Sequence, residues 1–229
     1  MLKENLQDVL ERIDRASARS ISGEKVQLIA VTKTHGLDLI NEAISYGVTD
    51  IGENKVQELE RKKDGLISKV NLHMIGNLQS NKVKYIYKDI CLIHSLDRKS
   101  LAKEIQKRAS QDNIKVHCLV QVNIGREETK GGLAYEKVLP FIESMMDYDH
   151  IKIDGLMAMA PHIDDEKALR AYFRKMFDLK ELVAKEKFDG VDMTYLSMGM
   201  SNDYELAIEE GSNMVRIGSD IFGKRDYSK

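Results

Sequence analysis

Residues 26–55 read VQLIAVTKTHGLDLINEAISYGVTDIGENK. The run VQLIAV (26–31) is almost continuously apolar, the pattern of a short strand buried on both faces. A helical segment around 37–47 follows, and the short run Val48–Ile51 predicts the next strand. Strand–helix alternation of this kind argues for a parallel sheet, because the helix carries the chain back to start a neighbouring strand in the same direction.

The same sentence repeats to the end of the chain. Helices are predicted over 54–67, 79–87, 98–111, 135–146, 165–187 and 202–210. Strands are predicted over 72–75, 91–94, 116–122, 153–159, 193–196 and 214–217. The helix over 165–187 is the clearest, with Leu169, Tyr172, Phe173, Met176 and Val183 along one face. About eight strand–helix units in a chain of this length specify an α/β fold, the (β/α)8 TIM barrel. A doubly wound open sheet is the competitor, since local pattern does not distinguish closure from an open edge.

Before the first strand, Leu2, Leu6, Val9, Leu10 and Ile13 mark an amphipathic helix over about 2–19, broken at Ser20–Gly23. After the last strand only SDIFGKRDYSK remains, too little for a full closing helix, so the N-terminal helix is expected to cover that gap. With no linker, low-complexity tract or shift of composition, and with Pro140 and Pro161 marking no boundary, residues 1–229 are expected to form one domain.

The chain is 42% hydrophobic and 31% charged, with a formal charge of −2. That apolar fraction excludes disorder as the main state. The near-neutral charge offers no basic field for nucleic acid, and no apolar stretch approaches the ~20 residues that cross a bilayer. The start carries acids and lacks the apolar core of a signal peptide. Cys91 and Cys118, each inside an apolar run, are expected to be buried thiols, which favours the reducing cytoplasm. The expectation is a soluble intracellular protein.

Barrel chemistry sits where the strands end. Lys33 stands there between Thr32 and Thr34. At an apolar rim its amine is desolvated, which favours the neutral form able to attack a carbonyl; the plainer reading is a lysine reaching solvent. Ser197, Gly199, Ser201 and Asn202 follow strand 7, and Gly218 and Ser219 follow strand 8. Small residues after these two strands suit a phosphate, although Ser201 and Asn202 also read as a helix N-cap. Arg216 is either an ion-pair partner or a donor to a ligand acceptor. Asn54 follows strand 2, and Asn77, Gln79, Asn81 and Lys82 follow strand 3. The histidines show no metal-site spacing; His73 reads as a core residue, and His35 and His162 as loop residues. Met157, Met159, Met193, Met198, Met200 and Met214 read as core filling.

A lysine, an anion site and an arginine so placed suggest pyridoxal 5′-phosphate. The motifs VTKTH, IGENKVQE, HMIGNLQSNK, GLMAMAP and LSMGMSNDYELAIEEGSNMVRIGSDIFG resemble the pyridoxal phosphate homeostasis protein family, whose members are similar to the N-terminal barrel of alanine racemase. The resemblance runs from about Val26 to Gly223. It implies that Lys33 is the internal-aldimine lysine, that Ser197, Gly218 and Ser219 (with Ser201 as a further candidate) hold the phosphate, that Arg216 faces the pyridine nitrogen, and that Asn54 neighbours the ring. The stretch around Lys130 matches only loosely in spacing.

An arginine can only donate, so a ring nitrogen facing it stays unprotonated and the ring is a weak electron sink. Racemases of this fold take a second acid/base group, a tyrosine, from an added domain across a dimer, and this chain is expected to end with the barrel. The resemblance therefore implies a monomeric cofactor holder in cellular PLP homeostasis, serving apo-PLP enzymes, without established turnover. A small racemase-like enzyme on amino acids is the alternative, and a Schiff-base aldolase without the cofactor is a third reading.

Overall fold

The computed structural model describes residues 1–125, 131–161 and 163–223. Lys130 and His162 lie outside them. The strands are β1 (Gln27–Val31), β2 (Asp50–Glu53), β3 (Asn71–Met74), β4 (Leu92–Leu96), β5 (Val116–Val122), β6 (Ile151–Ala158), β7 (Val191–Ser197) and β8 (Met214–Ile217). Each pairs in parallel with the next, and β8 returns to β1, with Gln27 opposite Met214 and Ile29 opposite Arg216. That last ladder closes the barrel and excludes the open sheet.

Strand alternation separates two apolar regions. Ala30, Ile51, Met74, Ile93, Val120, Leu156 and Val215 belong to the large core that packs the strands against the helices. Ile29, Leu92, Leu119, Met157 and Met214 form a smaller cluster inside the barrel, with Met159 and Tyr195 against it. Met157, Met198 and Met214 are buried, as core filling requires. The lumen also contains polar side chains: His73, His94, Ser197 and Arg216 are all buried. Branched aliphatics dominate most barrels of this type, so a polar lumen calls for an account of every hydrogen bond in it.

The helices are α1 (Leu2–Ser17), α2 (Leu37–Ser45), α3 (Val56–Lys62), α4 (Val83–Ile86), α5 (Lys99–Gln111), α6 (Val138–Glu143), α7 (Glu166–Glu186), α8 (Tyr204–Glu209) and α9 (Ser219–Phe222). Three of the expected helices are shorter than their apolar pattern, because 3-10 turns at 63–65, 80–82 and 135–137 take one end of each. Pro140 falls in the first turn of α6, where its missing N–H has no helical acceptor to lose. Leu2, Leu6, Val9, Ile13 and Ala16 of α1 are buried, while Leu10 lies on the exposed flank. The helix does cover the short final unit: Asn5 Nδ2 donates to Ile221 O at 3.1 Å, and Arg12 donates to Glu205 at 2.7 Å. Of the two thiols, Cys118 is buried, whereas Cys91 is exposed because it precedes β4 at the barrel floor.

Candidate functional site

Lys33 follows β1 by two residues. Ile29 packs inside the barrel, so the two-residue period carries Val31 and then Lys33 to the inner side, where Lys33 is half-buried. Its neighbours are fixed from behind. Thr32 Oγ1 donates to Glu53 Oε1 at 2.6 Å, and Thr34 N donates to Glu58 Oε2 at 2.8 Å. Lys62 Nζ ties these together, donating to Thr32 O (2.8 Å), Glu53 Oε1 (2.6 Å) and Glu58 Oε2 (3.1 Å). Thr34 takes a left-handed φ of 69° within this brace. Burial pushes the Glu53 carboxyl up, against the bonds from Lys62 and Thr32. Burial acts the same way on Glu58, but the bonds from Thr34 and Lys62 outweigh it and hold that carboxyl below its usual range. Sequence reading missed Glu53, Glu58 and Lys62. The four-residue spacing of Glu58 and Lys62 on one helix face was the available signal.

Arg216 points into the lumen from β8, only 5% exposed. Its Nη1 donates to Ser197 Oγ at 2.6 Å and its Nη2 to Ala158 O at 2.9 Å. Among the described residues no carboxylate forms an ion pair with it. Burial lowers its pKa to about 10, partly opposed by the charge of Asp203, so it stays a cation at neutral pH. A buried cation lacking a counter-ion is costly, and its remaining N–H groups suit an electron-rich acceptor. Ser197 is fully buried, and its hydroxyl bonds Arg216 and His94 Nδ1, the latter at 3.2 Å. These bonds run into the lumen, which makes Ser197 a support for Arg216.

The turns after β7 and β8 meet each other. Arg216 N donates to Gly199 O at 3.1 Å, and Gly218 N points to Ser201 Oγ at 3.4 Å. Gly199 has φ +96°, and a Cβ there would lie 2.8 Å from Ala207 Cβ and 2.9 Å from Tyr204 Cα. Asp203 is the residue before α8, and its Oδ1 accepts from Met200 N. The N-cap reading of Ser201 and Asn202 therefore fails. Gly218 is half-buried and Ser219 exposed. A Cβ on Gly218 would lie 3.3 Å from Val31, so the β8 turn lies against β1 two residues before Lys33.

Asn54 lies on the other side of Lys33. Val31 stands opposite Gly52 in the β1–β2 ladder, so Lys33 and Asn54 each lie two residues beyond a matched pair. Asn54 is half-buried and, with Lys55, Arg61, Asn77, Gln79 and Lys82, lines a cavity of about 640 Å³. Gly76 permits this, since a Cβ there would sit 2.2 Å from Asn54 O. The His35 ring stacks on Phe222 at 4.7 Å, linking the β1 turn to α9.

Lys33, Arg216, Ser197, Ser201, Gly218, Ser219 and Asn54 thus come from four adjacent strands, β7, β8, β1 and β2, at one end of the barrel. A half-buried amine, a buried arginine with no carboxylate partner among the described residues, and small-residue turns offering N–H and hydroxyl groups match an aldehyde, a ring nitrogen and a phosphate in one ligand. The residues fit pyridoxal 5′-phosphate.

The family described as alanine racemase, N-terminal domain, matches residues 5–226. A pyridoxal phosphate homeostasis protein of Aquifex aeolicus is 44% identical over 98% of both chains. The crystal structure of an unknown protein from Bifidobacterium adolescentis superposes with a TM-score of 0.90 at 34% identity, covering 96% of this chain and 94% of that one. PipY of Synechococcus elongatus PCC7942, solved with PLP bound, superposes with a TM-score of 0.82 at 29% identity, covering 97% of this chain and all of PipY. With its barrel closed and its polar residues gathered where the strands end, the chain belongs to the pyridoxal phosphate homeostasis protein family.

Proposed function

We propose that the protein holds pyridoxal 5′-phosphate reversibly, through a Schiff base on Lys33, and so limits free aldehyde in the cell without established catalytic turnover. The observation that carries this reading is the buried Arg216, which has no ion-pair partner among the described residues and lies on the strand next to β1, which Lys33 follows by two residues. When bound, the group supplies an aldehyde carbon to the lysine nitrogen, and the aldehyde oxygen leaves as water. Arg216 donates to the ring nitrogen. Gly218 N, Ser219 and Ser201 offer the phosphate donors, and Asn54 borders the ring. Ser197, placed at the phosphate by motif resemblance, acts instead by holding the arginine. On this reading the chain is a cytoplasmic monomer that passes the cofactor to apo-enzymes.

The Lys62–Glu53–Glu58 brace supports the holder reading by locking both neighbours of Lys33 while leaving its own side chain on the inner side. The match to the racemase domain keeps a weak amino-acid enzyme as the second reading. Protein incubated with the cofactor is expected to turn yellow, and Lys33→Ala to lose the absorption band of the adduct. A colourless wild type overturns both readings. Racemisation, decarboxylation or transamination well above the Lys33→Ala blank replaces the holder with the enzyme.

A further inference from the structure

We propose that Arg216, Ser197, His94, His73 and Asp50 form one directed hydrogen-bonded chain through the barrel lumen, and that Asp50, on the floor, is a positioning residue for Arg216 at the cofactor site. The consequence for the cofactor rests on the reading above; the existence and direction of the chain do not.

The four links are continuous. Arg216 Nη1 lies 2.6 Å from Ser197 Oγ, and that oxygen lies 3.2 Å from His94 Nδ1. His94 Nε2 lies 3.1 Å from His73 Nδ1, and His73 Nε2 lies 2.9 Å from Asp50 Oδ1. The two ends set the direction. A guanidinium can only donate, so Ser197 Oγ accepts from it and turns its own proton to His94 Nδ1. That nitrogen is then bare, and His94 carries its proton on Nε2, facing His73 Nδ1. His73 is forced into the same tautomer, and its Nε2–H donates to Asp50. At the floor Asp50 only accepts: Gln27 Nε2, Asn71 Nδ2 and Thr49 Oγ1 also donate to it, at 2.7, 2.9 and 2.7 Å. Cys91 Sγ lies 3.3 Å from His73 Nε2, but its S–H is directed to Leu72 O, so it offers His73 no competing donor.

Complete burial drives His94 well below the usual imidazole range, and the charge of Arg216 adds to it, so one of its nitrogens is always bare. Two imidazoles in series between a fixed donor and a fixed acceptor have one arrangement that satisfies every nitrogen. Removing the floor acceptor frees His73 to place its proton on Nδ1, where it would confront the Nε2–H of His94. Relief by tautomer exchange at His94 takes away the acceptor of the Ser197 hydroxyl. That hydroxyl then accepts from both His94 and Arg216 while its own proton is left without an acceptor, which weakens its hold on the guanidinium. Asp50 and His73 border a floor cavity of about 510 Å³ formed at the opposite ends of the strands, so the perturbation starts outside the cofactor's reach.

The test uses histidine side-chain 15N NMR on the cofactor-free protein, together with cofactor titration. In wild type, His94 and His73 are both expected with protonated Nε2 and bare Nδ1. Asp50→Leu is expected to populate the Nδ1–H form of His94 and to weaken cofactor binding roughly fivefold or more, while Asp50→Leu combined with His94→Phe loses little beyond His94→Phe alone. Should Asp50→Leu not fold, His73→Phe cuts the chain one link later and must show the same change at His94. A wild-type His94 protonated on Nδ1, an unchanged His94 in a folded chain-breaking variant, or additive losses in the double variant overturns the proposal. A wild type that binds no cofactor yet shows the expected tautomers overturns the cofactor reading and leaves the chain standing.

Discussion

Gly199 shows how one backbone position serves the site. Its φ of +96° and the closeness of Ala207 and Tyr204 leave no room for a side chain, and its carbonyl accepts from Arg216 N. Gly199→Ala is expected to cost about 1–3 kcal/mol in strain, with a further loss from the contacts, and to weaken cofactor retention through displacement of Ser201. Urea midpoints and adduct absorbance check it; an unchanged midpoint would show that the turn has another conformation available. Lys33, Ser201, Arg216 and Gly218 were legible in the sequence because each stands at or just after a strand, where a barrel collects its chemistry. Glu53, Glu58 and Lys62 were not, because Lys62 meets Thr32 across 30 residues of chain. His94 was equally hidden, since its partner Ser197 is 103 residues away. The bonds of Ser197 to Arg216 and His94 were not legible either, because only strand phase in a closed barrel decides which side the last residue of a strand faces.

Among the elements, α1 has the most consequence for its length. It packs on α8 and α9, and Arg12 reaches Glu205 and Asp220 on those two helices. Leu6, 3% exposed in the core, is expected to lose roughly 2–5 kcal/mol on substitution by alanine, whereas Leu10→Ala on the 43% exposed flank should cost less than about 1 kcal/mol. Chemical denaturation separates the two. Equal small losses would make α1 an appendage. The helical pattern of α1 was plain from spacing, and its covering role was inferred from the shortness of the final unit. The 3-10 turns were not visible, because an apolar stripe marks what is buried and not how the last turn is wound.

For the molecule as a whole, the polar lumen ties acid stability to the floor of the barrel. Burial opposes the Asp50 charge, but bonds from His73, Thr49 and Asn71 outweigh it and lower its pKa from 3.8 to about 2. A folded value below the unfolded one stabilises the fold at higher pH, and that stability is lost as pH falls through the window between them. At about 1.4 kcal/mol per unit the loss is on the order of 2 kcal/mol, spread from about pH 5 to about pH 1. Asp50→Asn should flatten that acid limb in urea unfolding at successive pH values. A limb as steep as in wild type would place the titrating carboxylate elsewhere.

The sequence by itself determined the alternation, the strand count and the positions of the polar turns, because hydrophobic period and small residues act over a few residues at a time. Only the tertiary structure decided that β8 pairs with β1, that Cys91 lies open at the floor, and that two histidines join Arg216 to Asp50. Closure and lumen contacts depend on strand tilt and register summed around the whole ring, a quantity no local stretch of residues contains.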